Sequence, residues 1–136
     1  MNSIVVIGGG FAGLWSAVGA ARKLDELGIG PDQVEVTLIN RDAWHGIRVR
    51  NYESDLSDLR VPLDSVLEPT GIRRIEGEVI DINPNARHVT VQAPDGQRNV
   101  TYDRLVVAAG SRVFLPEIPG LAAHGMNVDI YDDAER

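Results

Sequence analysis

Apolar and polar positions divide this chain into a regular succession of elements. Residues 3–7, Ser-Ile-Val-Val-Ile, are β-branched and apolar on both faces, the pattern of a buried parallel strand. Glycines at positions 8, 9, 10 and 13 interrupt it. Apolar residues then recur at Leu14, Val18, Ala21 and Leu24, with Ala17 alongside, which is helical spacing. Gly28 and the Gly30-Pro31 pair predict the end of that helix. Val34, Val36, Leu38 and Ile39 predict a second strand over 34–40, so the chain opens with a βαβ unit.

Residues 43–60 have no clean period and predict a loop with some helix, and residues 64–68 predict one helical turn. Residues 76–82 alternate and put Ile80 and Ile82 on one face; residues 88–92 alternate with Val89 and Val91 inward; Val100 and Tyr102 continue at strand spacing. Turn signals at Asn83-Pro84-Asn85 and Pro94-Asp95-Gly96 join these segments into an antiparallel three-stranded meander. Residues 105–109 return to a doubly apolar strand that stops at Gly110. Pro116 and Pro119-Gly120 mark a linker, after which residues 132–135 look like the first turn of a helix.

Residues 4–21 carry no charge over a length near that of a membrane span. Glycines within them and the lack of a preceding basic residue favour strand, turn and helix over a membrane helix or signal peptide. The protein is therefore expected to be cytoplasmic. A length of 136 residues suits about one domain. Thirteen basic and twenty acidic residues give a net charge of −7, which argues against nucleic acid as a partner. With no cysteine, this stretch can form no disulfide, thiolate metal site or redox dithiol. Lys23 is its only lysine and is not in a P-loop, the three histidines lack metal-ligand spacing, and neither H-E-x-x-H nor G-x-S-x-G occurs.

The positive signal is Gly8-Gly9-Gly10-Phe11-Ala12-Gly13, a G-x-G-x-x-G turn between a strand and a helix. Gly8 permits the tight turn, Gly10 leaves room for a pyrophosphate, and Gly13 lets helix and strand pack closely. The amides at Phe11 and Ala12 belong to the positive end of the helix that faces the phosphates. The second strand of such sites ends in an acid that accepts ribose hydroxyls; here Asn40 stands there, an uncharged acceptor, followed by Arg41. Arg41 suits either the 2′-phosphate of NADP or plain solvent exposure.

Three segments carry a resemblance. Residues 4–14 (Ile-Val-Val-Ile-Gly-Gly-Gly-Phe-Ala-Gly-Leu), 102–111 (Tyr-Asp-Arg-Leu-Val-Val-Ala-Ala-Gly-Ser) and 118–120 (Ile-Pro-Gly) are similar, in order, to motifs of two-dinucleotide-domain flavoproteins. Within them the chain most resembles type II NADH dehydrogenases and related FAD-dependent pyridine nucleotide oxidoreductases. The resemblance implies an α/β fold, a Rossmann-like doubly wound parallel sheet with the antiparallel three-stranded meander, cut short before the NAD(P)H domain. Residues 1–120 would be the N-terminal portion of the FAD-binding domain, and 121–136 a linker and the start of the NAD(P)H domain. FAD would be the cofactor and NAD(P)H the substrate of the parent protein, with a quinone or similar acceptor and a location cytoplasmic or peripheral to a membrane. Gly8, Gly10 and Gly13 would meet the pyrophosphate, Asn40 the adenosine ribose, the backbone at Val79 the adenine, and Ala109 and Gly110 the cofactor's flank. The Trp44-His45 loop would pass near the flavin. No catalytic side chain and no metal are implied.

Residue by residue, His45 reads as an exposed loop histidine, His88 as the solvent side of a strand, and Phe11 as packing beneath the turn. Asp129, Asp132, Asp133 and Glu135 read as charge at a helix start. A shortened sheet predicts an exposed edge and self-association. A non-catalytic NADP-binding module and an inactive fragment are the alternative readings.

Overall fold

The computed structural model describes residues 1–135. The chain runs β1 (Asn2–Ile7), α1 (Phe11–Glu26), β2 (Val34–Asn40), β3 (Trp44–Gly46), β4 (Arg60–Pro62), α2 (Asp64–Leu67), β5 (Arg73–Glu76), β6 (Glu78–Asn83), β7 (His88–Ala93), β8 (Gly96–Thr101), β9 (Arg104–Val107), α3 (Leu121–His124) and α4 (Tyr131–Ala134). The main sheet has the order β5-β2-β1-β9 and every neighbouring pair is parallel. β1 is thus an interior strand, which is why it had to be apolar on both sides.

Each face of that sheet has its own core. On one, Val6, Val36 and Leu38 pack against Ala17 of α1 and against Leu63, Leu67 and Ile72. On the other, Val5, Ile7, Ile39 and Ile75 meet Val89 and Val91 of the β6-β7-β8 meander. Alternation along β1 therefore divides adjacent residues between two layers. Small residues let α1 approach the sheet: Gly13 and Ala17 are its buried positions, while Leu14, Val18, Ala21 and Leu24 flank them. The helix ends as its glycine predicts. Ile29 N–H donates to the Leu24 carbonyl at 2.9 Å and Gly28 N–H to the Asp25 carbonyl at 3.0 Å, a Schellman pair.

The structure refines several sequence expectations. Helix α1 starts at Phe11, three residues before its first apolar stripe position. The stretch expected to be loop contains the β3-β4 hairpin and a 3-10 turn over Arg48–Arg50. Strand β5 has no sequence counterpart, because Arg73, Arg74 and Glu76 hide its single buried residue, Ile75. Arg74 leaves the surface by pairing with both oxygens of Asp64, at 2.6 and 2.9 Å, and with Glu76 at 3.0 Å. A register shift between Val79 and Asp81 interrupts the pairing of β6 with β7, and Ile80 and Ile82 are exposed. The last apolar run pairs with β1 over Leu105, Val106 and Val107 and leaves the strand after that. Ser3 N–H, donating to an Asp103 carboxylate oxygen at 2.7 Å, ties the start of β1 to the approach to β9. Among the described residues no helix is long and apolar enough to cross a membrane.

Candidate functional site

At the carboxyl end of β1 the sheet ladder carries one residue further. Gly8 N–H donates to the Ile39 carbonyl at 2.8 Å, and Ala108 N–H to the Ile7 carbonyl at 2.8 Å. The chain then turns sharply. Gly8 has φ +102°, and a Cβ there would lie 2.2 Å from the Ala108 carbonyl oxygen. A Cβ on Gly13 would lie 1.7 Å from the Gly8 carbonyl oxygen and 3.4 Å from the Ala108 Cβ. The glycine turn and the exit of β9 are therefore pressed together with no space for side chains between them. Gly10 is different: a Cβ there would meet nothing within 4 Å, so its side of the turn is open.

Gly10 also opens a run of free donors. The first intrahelical bond of α1 runs from Leu14 N–H to the Gly10 carbonyl, at 2.9 Å. The amides of Gly10, Phe11, Ala12 and Gly13 therefore have no acceptor among the described residues. No side chain caps this helix start, and its first turn holds no acid. The positive end of the helix is left for an anion.

Side chains at the end of β2 and just beyond it support the turn. Asn40 Oδ1 accepts the Gly9 N–H at 2.8 Å. Its Nδ2 donates to the Asp42 carbonyl at 3.0 Å, to Asp42 Oδ1 at 3.1 Å and to the Trp44 carbonyl at 3.3 Å. His45 departs from expectation. It is only 7% exposed, and its Nδ1 lies 2.8 Å from the Gly9 carbonyl oxygen. Phe11 departs too: it is 49% exposed and meets the His45 ring edge-on at 4.7 Å instead of packing beneath the turn. Arg41 extends from the same strand end, more than half exposed, with Asp42 its nearest acid at 3.7 Å.

Val79, on β6, and Ala109, beyond β9, line one groove of about 340 Å³ with Ile7 and Val107. Gly110 follows with φ +73°. Beside it, Arg48 fastens the later chain. Its Nη1 donates to the Ser111 carbonyl at 2.9 Å, its Nε to the Asp129 carbonyl at 3.0 Å, and its Nη2 to the Asp129 carboxylate. That bond, aided by the Val113 amide, holds the Asp129 carboxyl below its usual value. Asp129 is thus a partner of Arg48, not helix-end charge, whereas Asp132 and Asp133 do sit in the first turn of α4. The Arg60 guanidinium lies 3.7 Å from the Tyr131 ring centroid and 4.9 Å from that of Trp44. Sequence reasoning missed Arg48 and Arg60, whose partners are distant along the chain. Among the described residues no group of His, Cys, Asp or Glu could hold a metal ion.

A free helix amino end at the carboxyl edge of a parallel sheet, with a second close-approach segment beside it, defines a dinucleotide-binding α/β protein. Comparison gives the lineage: the family described as pyridine nucleotide-disulphide oxidoreductase matches residues 2–136, and the chain belongs to it. It is 49% identical over 136 residues to an NADH dehydrogenase-like protein of Mycobacterium tuberculosis, covering all of this chain and 33% of that protein. It is 26% identical over 140 residues to the type II NADH:quinone oxidoreductase of Staphylococcus haemolyticus, covering 99% of this chain and 33% of that one. Among solved structures, the sulfide:quinone oxidoreductase of Aquifex aeolicus superposes with TM-score 0.77 at 29% identity, over 98% of this chain and 30% of that one. The chain thus spans about a third of the length of the curated relatives it matches.

Proposed function

We propose that this chain is the FAD-binding portion of an NAD(P)H-dependent flavoprotein oxidoreductase whose electrons pass to a quinone-type acceptor. The observation that carries the reading is the row of amides from Gly10 to Gly13 with no acceptor among the described residues, beginning at Gly10, where a Cβ would meet nothing within 4 Å. Those amides would hold the diphosphate. The backbone at Val79 would lie against the adenine, and Ala109 and Gly110 would flank the cofactor. The cradle fits the group, because side-chain-free backbone lies at the phosphate path and the first turn of α1 holds no acid.

FAD, when bound, supplies the two-electron centre that accepts hydride from a nicotinamide and returns electrons to an acceptor. This chain's share is binding and orientation, and no side chain is assigned a proton-transfer step. A disulfide route would need a dithiol that these residues do not contain. Residues 1–120 form the FAD-side unit in this reading, and 121–136 lead toward an NAD(P)H domain. The names of the quinone-reducing relatives support the choice of acceptor. A cytoplasmic location, in contact with a membrane surface where quinone is the acceptor, belongs to the same reading.

The test is the absorption spectrum of the protein expressed in full. The expected result is flavin bands in the blue, FAD released on denaturation, and bleaching on addition of NADH. A colourless protein that binds NADP and not FAD would replace this reading with a nucleotide-binding module centred on Arg41. A protein that binds neither would leave an inactive fragment.

A further inference from the structure

Gly9 stands out because side chains hold both of its polar backbone atoms. Asn40 Oδ1 accepts its N–H and His45 Nδ1 lies against its carbonyl oxygen, both at 2.8 Å. A carbonyl oxygen can only accept, so the His45 Nδ1 carries the hydrogen. We infer that Asn40 and His45 are positioning residues that set the orientation of the phosphate-binding turn through Gly9, and that Asn40 is not a ribose ligand. The inference rests on the proposed FAD reading for its ligand, but the brace itself is a property of this chain.

The physical argument starts from the planar peptide. In a trans peptide the carbonyl and the N–H point in opposite directions. The Gly9 carbonyl and the Gly10 amide share one peptide plane. Drawing the carbonyl toward His45 therefore aims the Gly10 N–H away from His45, and a Cβ on the same Gly10 would meet nothing within 4 Å. A flipped plane would instead present an oxygen to a phosphate. Three consecutive glycines have little steric resistance to such a flip. Side-chain bonds supply the restraint that missing Cβ atoms cannot.

Asn40 suits its post because it both donates and accepts. Its oxygen takes the Gly9 amide while its nitrogen serves Asp42 and the Trp44 carbonyl, the residue preceding His45. One side chain thus fixes the turn and the loop that delivers the second brace. An aspartate would keep only the acceptor. Its charge would sit about 3 Å from Asp42 Oδ1, judged from the present contact at 3.1 Å, and close to the phosphate path. That accounts for an amide where the glycine fingerprint ordinarily brings an acid.

The experiment uses the protein expressed in full, with FAD affinity read by flavin fluorescence and folding by far-UV circular dichroism. Asn40→Asp is expected to bind FAD about tenfold more weakly, through loss of the part-buried donor bonds to Asp42 and of the bond to the Trp44 carbonyl. His45→Leu is expected to lose about tenfold, and His45→Asn, whose amide nitrogen reproduces the Nδ1 donor, to recover most of it. Asn40→Asp binding FAD more tightly would overturn the inference, as would His45→Leu binding like wild type.

A second readout works without ligand. With ¹⁵N-glycine labelling, Gly9 and Gly10 are expected to give single sharp amide resonances in wild type and in His45→Asn, and split or broadened ones in His45→Leu. Sharp resonances in all three would overturn the brace. A wild-type protein without FAD would overturn only the functional reading, because the resonances still decide this one.

Discussion

The Gly13 Cα and the Gly8 carbonyl oxygen approach so closely that an added Cβ would lie 1.7 Å from that oxygen. Gly13→Ala must therefore move the helix or the turn. The expected cost is about 1–3 kcal/mol of stability, measured by urea unfolding. Gly10→Val makes the opposite prediction. Gly10 has φ −72° and ψ −173°, which valine adopts freely, and open space beyond it. The unfolding free energy should fall by no more than about 1 kcal/mol, the cost of replacing glycine by an apolar residue at a helix N-cap, while FAD binding is abolished. Retained FAD binding in Gly10→Val would place the cofactor elsewhere.

Both glycines were legible in the sequence, and the reason is that the constraint is local. Strand, turn and helix are contiguous, so one stretch of residues records the whole βαβ geometry. The meander was legible for the same reason, with Val89 and Val91 alternating inward between two turn signals. What the sequence hid depends on partners far along the chain. His45 looks like a loop residue until the fold brings Gly9, 36 residues earlier, against its ring. Arg48 meets Asp129 across 81 residues. Strand β5 was illegible because its charged residues find partners in Glu35, Asp64 and one another, which no hydrophobic period records.

The Arg48–Asp129 pair makes the attachment of residues 111–131 dependent on pH. Asp129 is held below the ordinary carboxyl value of 3.8, chiefly by Arg48. A carboxyl lowered on folding contributes stability that is complete above its unfolded value and is lost as pH falls through the folded one. The attachment should thus be intact at neutral pH and release only below about pH 3.8. Asp129→Asn should mimic the acid form at neutral pH. Hydrogen exchange at the Val113 amide, which donates to Asp129 Oδ2 at 3.1 Å, is the measurement; an unchanged rate would count against the pair.

Leu38 is fully buried on the α1 side of the sheet. Leu38→Ala should cost about 2–5 kcal/mol by chemical unfolding. Ile80, 53% exposed on the meander, is the control: Ile80→Ser should stay within about 0.5 kcal/mol of wild type.

Strand β9 closes one side of the sheet, and its Val107 is 60% exposed. An outer strand with an apolar residue in the open favours pairing between copies. Self-association that rises with concentration is expected in sedimentation velocity. Val107→Lys should suppress it while changing the unfolding free energy by less than about 0.5 kcal/mol. A monomer at all concentrations in the unaltered protein would dispose of this expectation.

The pairing of Ile4 with Arg104 and of Ile7 with Val107 has a consequence for biogenesis. A ribosome emits about 5–20 residues per second, amino end first. Strand β1 therefore leaves the exit tunnel seconds before its partner β9 exists. The meander, whose strands are neighbours in sequence, zips up in the interval. Only when residues 104–107 emerge does Ala108 come to rest against the glycine bend. The nascent chain thus gains the close packing around its glycine bend only after residue 108 has emerged, and a pause before that point leaves a polypeptide whose opening motif is written but not yet assembled.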